Sequence, residues 1–193
     1  NARPMLVGSV ALDTWLSGDR DIDIFVLFPE ETPTEKLEEL GLKIGVEVAF
    51  EGYELRYAQH PYVRARKNGF EIDIVPCLAV SSPDRVKTAV DRTPFHVRYL
   101  NKKLNDELRD QVRLLKAFMK GIEAYGAEAK VGGFSGYLCT LLVLYYGSFI
   151  NVLKAAATWR KGQVIDIEKH YPDEKTPRKV FRGATLIVVD PVD

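Results

Sequence analysis

The sequence predicts an α+β fold: a mixed β-sheet with flanking helices, followed by a mainly helical region that returns to strand near its end. Three observations predict it. Strand and helix signals alternate from Met5 to Val75, a helical period takes over after Pro76, and short β-branched runs reappear at residues 164–167 and 185–189. The change between Asp91 and Leu104 divides the chain into an expected first domain of residues 1–98 and a second of residues 99–193.

The elements follow in order. The apolar triplet at residues 5–7 ends at Gly8-Ser9, which opens a short helical stretch carrying Val10, Ala11, Trp15 and Leu16 before the turn Ser17-Gly18-Asp19. Residues 21–28 read as a strand closed by Pro29. Residues 34–42 read as a helix capped by Thr32 or Thr34, whose charge run Glu35, Glu38 and Glu39 is a solvated face. Two further strands, residues 62–67 and 70–75, flank Asn68-Gly69, the strongest short-range hairpin signal. A two-residue loop there pairs Lys67 with Phe70, Arg66 with Glu71, Ala65 with Ile72 and Arg64 with Asp73, which puts Glu71 and Asp73 on one face and Ile72 and Ile74 on the other. Leu104, Leu108, Val112, Leu115, Met119 and Ile122 recur at spacings of three and four, the stripe of an amphipathic helix. Phe134-Ser135-Gly136 starts a buried helix, and residues 150–159 form another.

Composition removes several function classes. Lys plus Arg and Asp plus Glu each number 27, so the net charge is zero and a uniformly basic nucleic-acid-coating protein is excluded. The charge is unevenly spread, with 4 basic and 10 acidic residues up to Ala49, then 10 and 6 up to Lys103. That polarity suggests an acidic site facing a basic surface. Cys77 and Cys139 lie far apart without CxxC or Cys/His clustering, which indicates neither a disulfide framework nor structural zinc and makes a reducing, cytoplasmic setting the default. The most apolar stretch, residues 137–150, is short of the roughly 20 residues that span a bilayer, so no membrane partner is expected. No charged-then-apolar leader opens the chain, and both ends read as boundaries within a longer protein.

Asp21 and Asp23 carry the chemistry. Two apart on a strand, they project from one face, about 6.7 Å apart along the chain, while Ile22 and Ile24 face the other way. Crowded carboxylates repel by about 1 to 4 kcal/mol per pair near a surface, a cost that a bound divalent cation reverses. An all-oxygen donor set suits magnesium or manganese. A wet polar strand face is the ordinary explanation of Asp-x-Asp. Two features raise this instance above it: Gly8-Ser9 upstream, after an apolar triplet, and a third strand aspartate, Asp73, between apolar neighbours downstream. Glycine admits close approach of the backbone to a triphosphate, and a serine hydroxyl beside helix-start N–H groups can hold a phosphate. Each residue taken alone has a plainer role: Ser9 as a helix N-cap, and Asp73 as a cross-strand partner of Arg64.

Hydrophobic triplet, Gly-Ser, spacer, Asp-x-Asp and then a lone strand aspartate resembles the DNA polymerase β-like nucleotidyltransferase superfamily. The resemblance implies that Asp21 and Asp23 ligate two metal ions, Mg2+ with Mn2+ as a possible substitute, and that Asp73 ligates the ion that activates the attacking 3′-hydroxyl. Asp91-Arg92-Thr93-Pro94-Phe95-His96, Gln111-Val112-Arg113-Leu114-Leu115-Lys116, Tyr125-Gly126 and Gly133-Phe134-Ser135-Gly136-Tyr137-Leu138 extend it over nearly the whole chain to the archaeal, class I CCA-adding tRNA nucleotidyltransferases. That family implies a catalytic head followed by a helical central domain, with CMP and AMP transferred from CTP and ATP to the tRNA 3′ end. It implies triphosphate binding by Gly8, Ser9, His96, Lys116 and Tyr125, with Thr93 near the nucleotide. Lys116 flanks the apolar stripe, so its ammonium is expected to leave the core toward a cleft. His96 as a cap after Pro94 and Tyr125 as a core ring are the plainer alternatives.

Three positions depart from the family pattern. Leu12 stands where relatives place a basic residue on the phosphates, an expected loss of about 1.5 to 3 kcal/mol of nucleotide binding. Gly132 replaces an expected arginine and Thr140 an expected glutamate, together one lost ion pair. The family also continues beyond Asp193 into a base-reading segment and tRNA-gripping domains, and a helical segment precedes it, so tRNA binding here is expected to rest on Arg56, Arg64, Arg66, Lys67 and Arg85 and to be weak. The competing reading is a non-catalytic fragment of the same fold that acts as a scaffold and binds nucleotide weakly. An antibiotic-modifying nucleotidyltransferase is disfavoured by the motifs after Asp91.

Overall fold

The structure, a computed structural model, describes residues 1–49, 52–127 and 131–192. Asp193, where the second expected domain ends, lies outside them. Its element order begins β1 (Arg3–Val7), α1 (Gly8–Ala11), β2 (Asp21–Pro29), α2 (Thr34–Val48), β3 (Tyr53–Tyr57), β4 (Pro61–Lys67), β5 (Phe70–Ala79) and α3 (Ala89–Lys103). These make a five-stranded mixed sheet in the order β1-β2-β5-β4-β3, with β2 and β5 parallel and the other pairs antiparallel. The fold is the α+β arrangement expected. Two compact units form, Asn1–Lys102 and Lys103–Asp193, and the expected division after residue 98 falls inside α3.

One face of the sheet is apolar and lies under α2. Val26 and Phe28 from β2, Val63 and Ala65 from β4, and Ile74 and Leu78 from β5 are buried there with Leu37 of α2. α2 continues to Val48 rather than ending at residue 42, because Gly41 and Gly45 do not terminate it. They let it approach: a Cβ on Gly41 would lie 2.5 Å from Pro76, and one on Gly45 2.6 Å from Val63. β5 runs through Pro76 to Ala79, where a helical pattern was expected. β4 pairs with β5 only as far as Ile74, so beyond that residue β5 has a ladder on one side and tolerates the missing N–H of proline. The hairpin forms in the register that Asn68-Gly69 dictates, with positive φ at both turn residues.

α3 contains Pro94, which removes the N–H that would bond the Val90 carbonyl. That carbonyl lies 3.8 Å from the Cys77 thiol, which donates to it. Asp91, fully buried, accepts from the Leu78 amide (2.8 Å) and from the Thr88 amide and hydroxyl (3.0 Å each), so it ties the start of α3 to the end of β5.

The second unit contains α4 (Asp106–Gly121), α5 (Gly136–Tyr146), α6 (Phe149–Ala156), β6 (Gln163–Ile165), α7 (Lys175–Val180) and β7 (Leu186–Val188). Asn105 and Ser135 cap α4 and α5 through side-chain bonds to Leu108 and Leu138. Val112, Leu115 and Met119 of α4 pack with Cys139, Leu142 and Val143 of α5, Val152 of α6 and Ile165 of β6. The late strands form and pair in parallel. Among the described residues no single helix is long and apolar enough to cross a membrane; α5 and α6 pass that test only as a pair bent by 92°.

Asp91→Ala strips the acceptor from the buried Leu78 amide and the partly buried Thr88 amide and should cost about 2 to 4 kcal/mol. A lowered urea midpoint with unchanged slope checks this; a loss under about 1 kcal/mol would mean that water replaces the carboxylate.

Candidate active site

Parallel pairing of β2 with β5 sets Asp21 opposite Glu71 and Asp23 opposite Asp73. Residues directly opposite on neighbouring strands share a face about 5 Å apart. β4 adds Arg64 opposite Asp73 and Arg66 opposite Glu71, with Tyr62 on the same side. Farther along β2 and β5 this face turns apolar at Phe25, Leu27 and Cys77, all buried, so the carboxylates stand where the dry layer ends.

β1 brings Val7 opposite Asp23, and the next residue, Gly8, turns the chain at a φ of +67°. A Cβ on Gly8 would lie 2.1 Å from Asp23 Oδ2. The turn therefore requires glycine twice, for its backbone angle and for its contact with the carboxylate. Val7, not Ser9, is the N-cap of α1, and no side chain caps it. The plainer role of Ser9 is thus not the one it takes: Ser9 sits inside the first turn, partly buried, its carbonyl accepting from the Thr14 amide at 2.9 Å.

Crowding shows in the electrostatics. Burial, then the charges of Asp73 and Asp21, push the Asp23 carboxyl up to about 6 against the opposing pull of Arg64. Arg64 makes a two-pronged pair with Asp73, Nε to Oδ1 at 2.7 Å and Nη2 to Oδ2 at 2.8 Å, while its Nη1 donates to Glu71 Oε2 at 3.0 Å. That bonding to Asp73 raises the arginine above its ordinary value. The Arg64–Asp73 pair named as the plainer alternative is therefore formed, on the same face as Asp21 and Asp23. Among the described residues no group of three or more Asp, Glu, His or Cys side chains has its donors converged on one metal position. The donor chemistry nonetheless suits a hard divalent cation: oxygens only, with one carboxylate held partly buried among like charges.

Thr93 and His96 are partly buried on α3. His96 lies in mid-helix, so it does not cap the segment after Pro94. Lys116 and Tyr125 belong to the second unit. Lys116 does not emerge as expected: it is only 2% exposed, because Val112, Leu115, Lys116 and Met119 share one buried face of α4 at helical spacing. Tyr125 packs against the core there, bridges to Phe134, and receives the Lys116 and Lys120 ammonium groups at 5.8 and 5.5 Å from its ring centre. Leu12 is buried, and so is Thr140, whose hydroxyl donates to the Gly136 carbonyl at 2.8 Å, whereas Gly132 is exposed with open space around it. Sequence reading missed Tyr62 as a neighbour of the carboxylates, although its place two residues before Arg64 on a strand is the signal for a shared face.

Two family models match in tandem: "Nucleotidyltransferase domain" over residues 1–96 and "tRNA nucleotidyltransferase, second domain" over residues 110–193. The CCA-adding enzyme of Methanocaldococcus jannaschii is 49% identical over 195 residues, covering 98% of this chain and 43% of that protein. The CCA-adding enzyme of Methanothermobacter thermautotrophicus is 50% identical over 196 residues, covering 100% and 42%. The chain belongs to the archaeal, class I tRNA nucleotidyltransferase family. It spans about two fifths of the length of these family members. Solved structures share the nucleotidyltransferase fold at low identity. The E. coli MS115-1 CdnC:HORMA-deltaN complex has a TM-score of 0.62 at 19% identity over 99% of this chain and 66% of that one. A Cid1 poly(U) polymerase structure has 0.51 at 22% identity over 76% and 42%.

The raised Asp23 value carries a sign. The folded chain holds that proton more tightly than the unfolded one, so stability present below about pH 4 is lost as pH rises to about 6, in all about 2 to 3 kcal/mol. In metal-free buffer Asp23→Asn should therefore be more stable than the parent at pH 7 and lose that advantage by pH 4, read from paired thermal melts. Equal pH profiles for the two proteins would remove the crowding deduced from Asp21 and Asp73.

Proposed function

We propose that this chain is a metal-dependent nucleotidyltransferase core that transfers CMP and AMP from CTP and ATP to the 3′ end of tRNA, with release of pyrophosphate. The observation that supports it most is the register of Asp23 against Asp73, with Asp21 on the same face beside the side-chain-free turn at Gly8. Asp21, Asp23 and Asp73 are the residues that would hold the divalent cations. When bound, such ions supply charge neutralisation for the attacking hydroxyl and the leaving phosphates. The chain's own residues do the rest. Gly8 leaves space for phosphate oxygens, and the Ser9 hydroxyl is a donor for them. Asp23, pushed up to about 6, is predominantly ionised at neutral pH. Thr93 and His96 on α3 serve as nucleotide contacts in this reading. Arg56, Arg64, Arg66, Lys67 and Arg85 would meet the tRNA backbone, too few charges for tight binding.

A second reading, a nucleotidyltransferase fold that binds nucleotide weakly and does not turn over, is favoured by two observations. Leu12 is packed into the core where a phosphate-binding cation was expected, and Arg64 occupies both oxygens of Asp73.

ATP or CTP with Mg2+ at about 100 times its dissociation constant should raise the melting temperature by about 5 °C or more. Asp21→Ala or Asp23→Ala should abolish most of that rise. A parent chain with no Mg2+-dependent nucleotide effect moves the conclusion to the second reading.

A further inference from the structure

We infer that Arg64 is a positioning residue, a built-in counter-cation that holds Asp73 away from Asp21 and Asp23 and yields it when a divalent ion enters. This rests on the reading of the three aspartates as cation ligands. Four observations carry it. The guanidinium fork engages both Asp73 oxygens at 2.7 and 2.8 Å, so the carboxylate is aimed at β4 rather than across β2. The pair is shielded, with Arg64 25% and Asp73 16% exposed, so it binds more firmly than a pair in open water. Val63 and Ala65, on either side of Arg64, are buried to 0% and 1%, which pins the β4 backbone and leaves the side chain as the moving part. Glu71 already accepts from Arg64 Nη1 at 3.0 Å, so the arginine keeps a partner after Asp73 leaves.

The surrounding charges fit an exchange. Glu71 also faces Arg66 Nε at 3.7 Å, and Arg66 donates to Glu54 at 2.6 Å, so a guanidinium turning toward Glu71 enters an existing chain of alternating charge. Asp23 has Asp21 and Asp73 as like charges and Arg64 as the opposing one. A divalent ion is therefore drawn by three carboxylates and opposed by one arginine that has another acceptor within reach.

Mn2+ alone, followed through the electron paramagnetic resonance of the free ion, tests the inference on the full chain. Arg64→Gln should bind Mn2+ about tenfold more tightly than the parent. Arg64→Lys, which keeps the charge but loses the fork, should fall between and guards against a folding failure in the first variant. In metal-free buffer Arg64→Gln should melt below the parent, and saturating Mn2+ should close that gap, which a purely structural ion pair would not do. Binding by the parent with equal or weaker binding by Arg64→Gln overturns the inference while leaving the aspartate site standing. Absence of Mn2+ binding in parent and variants alike overturns the aspartate reading itself.

Discussion

The parallel pairing of β2 with β5 fixes everything that follows at the candidate site. Strand side chains alternate, so a slip of one residue would move Asp23 and Asp73 onto opposite faces and drive an aspartate into the layer under α2. That layer prevents the slip. Val26 and Phe28 on β2 and Ile74 and Leu78 on β5 are nearly inaccessible, and each such side chain contributes about 1.5 to 3 kcal/mol through burial. The carboxylates are thus positioned by residues on the far side of the sheet, and the site inherits the rigidity of the core. The close approach of α2 over Gly41 and Gly45 belongs to the same constraint, since it presses the helix onto Pro76 and Val63 of the central strands.

Placing charge this way has a cost that the fold offsets locally. Two carboxylates about 5 Å apart repel by about 1 to 3 kcal/mol at surface-like dielectric. Burial itself, and after it the charges of Asp73 and Asp21, push the Asp23 carboxyl up. Arg64 supplies the opposing charge from the neighbouring strand, in the geometry that suits a carboxylate best.

Much of this was legible from local chemistry. Asn68-Gly69 imposes a two-residue turn, so the pairing of Arg64 with Asp73 could be written down before any coordinates, and it is the pairing found. The Asp-x-Asp alternation gave the face but not the partner strand, because parallel pairing leaves no local signature. The illegible parts share one cause. Gly41, Gly45, Pro76 and Pro94 act as breakers in isolation, yet packing keeps the first two inside a helix, an unladdered side admits the third, and a thiol donor meets the carbonyl freed by the fourth. β3 and α7 escaped notice because exposed, mixed sequence such as Tyr53–Tyr57 carries little pattern. The cap roles that were the plainer alternatives for Ser9 and His96 do not hold, because the helices containing them begin earlier, at Gly8 and Ala89.

Lys116 shows the limit of reading charge from a helical wheel. Its place next to the stripe suggested a stem along the core and an ammonium in water, but Val112, Leu115 and Met119 share its face and the whole side chain is enclosed. An ammonium group taken from water is costly unless compensated. Part of the compensation is the Tyr125 ring, which Lys120 also approaches. The charge is felt nearby as well: burial pushes the Cys139 thiol up to about 11, and Lys116 pulls in the opposite direction. A lysine serving only as core filler would be better replaced by methionine or leucine, which fill the same volume without that desolvation. Core filling alone therefore does not account for a lysine at this place, beside an aromatic ring that meets its ammonium.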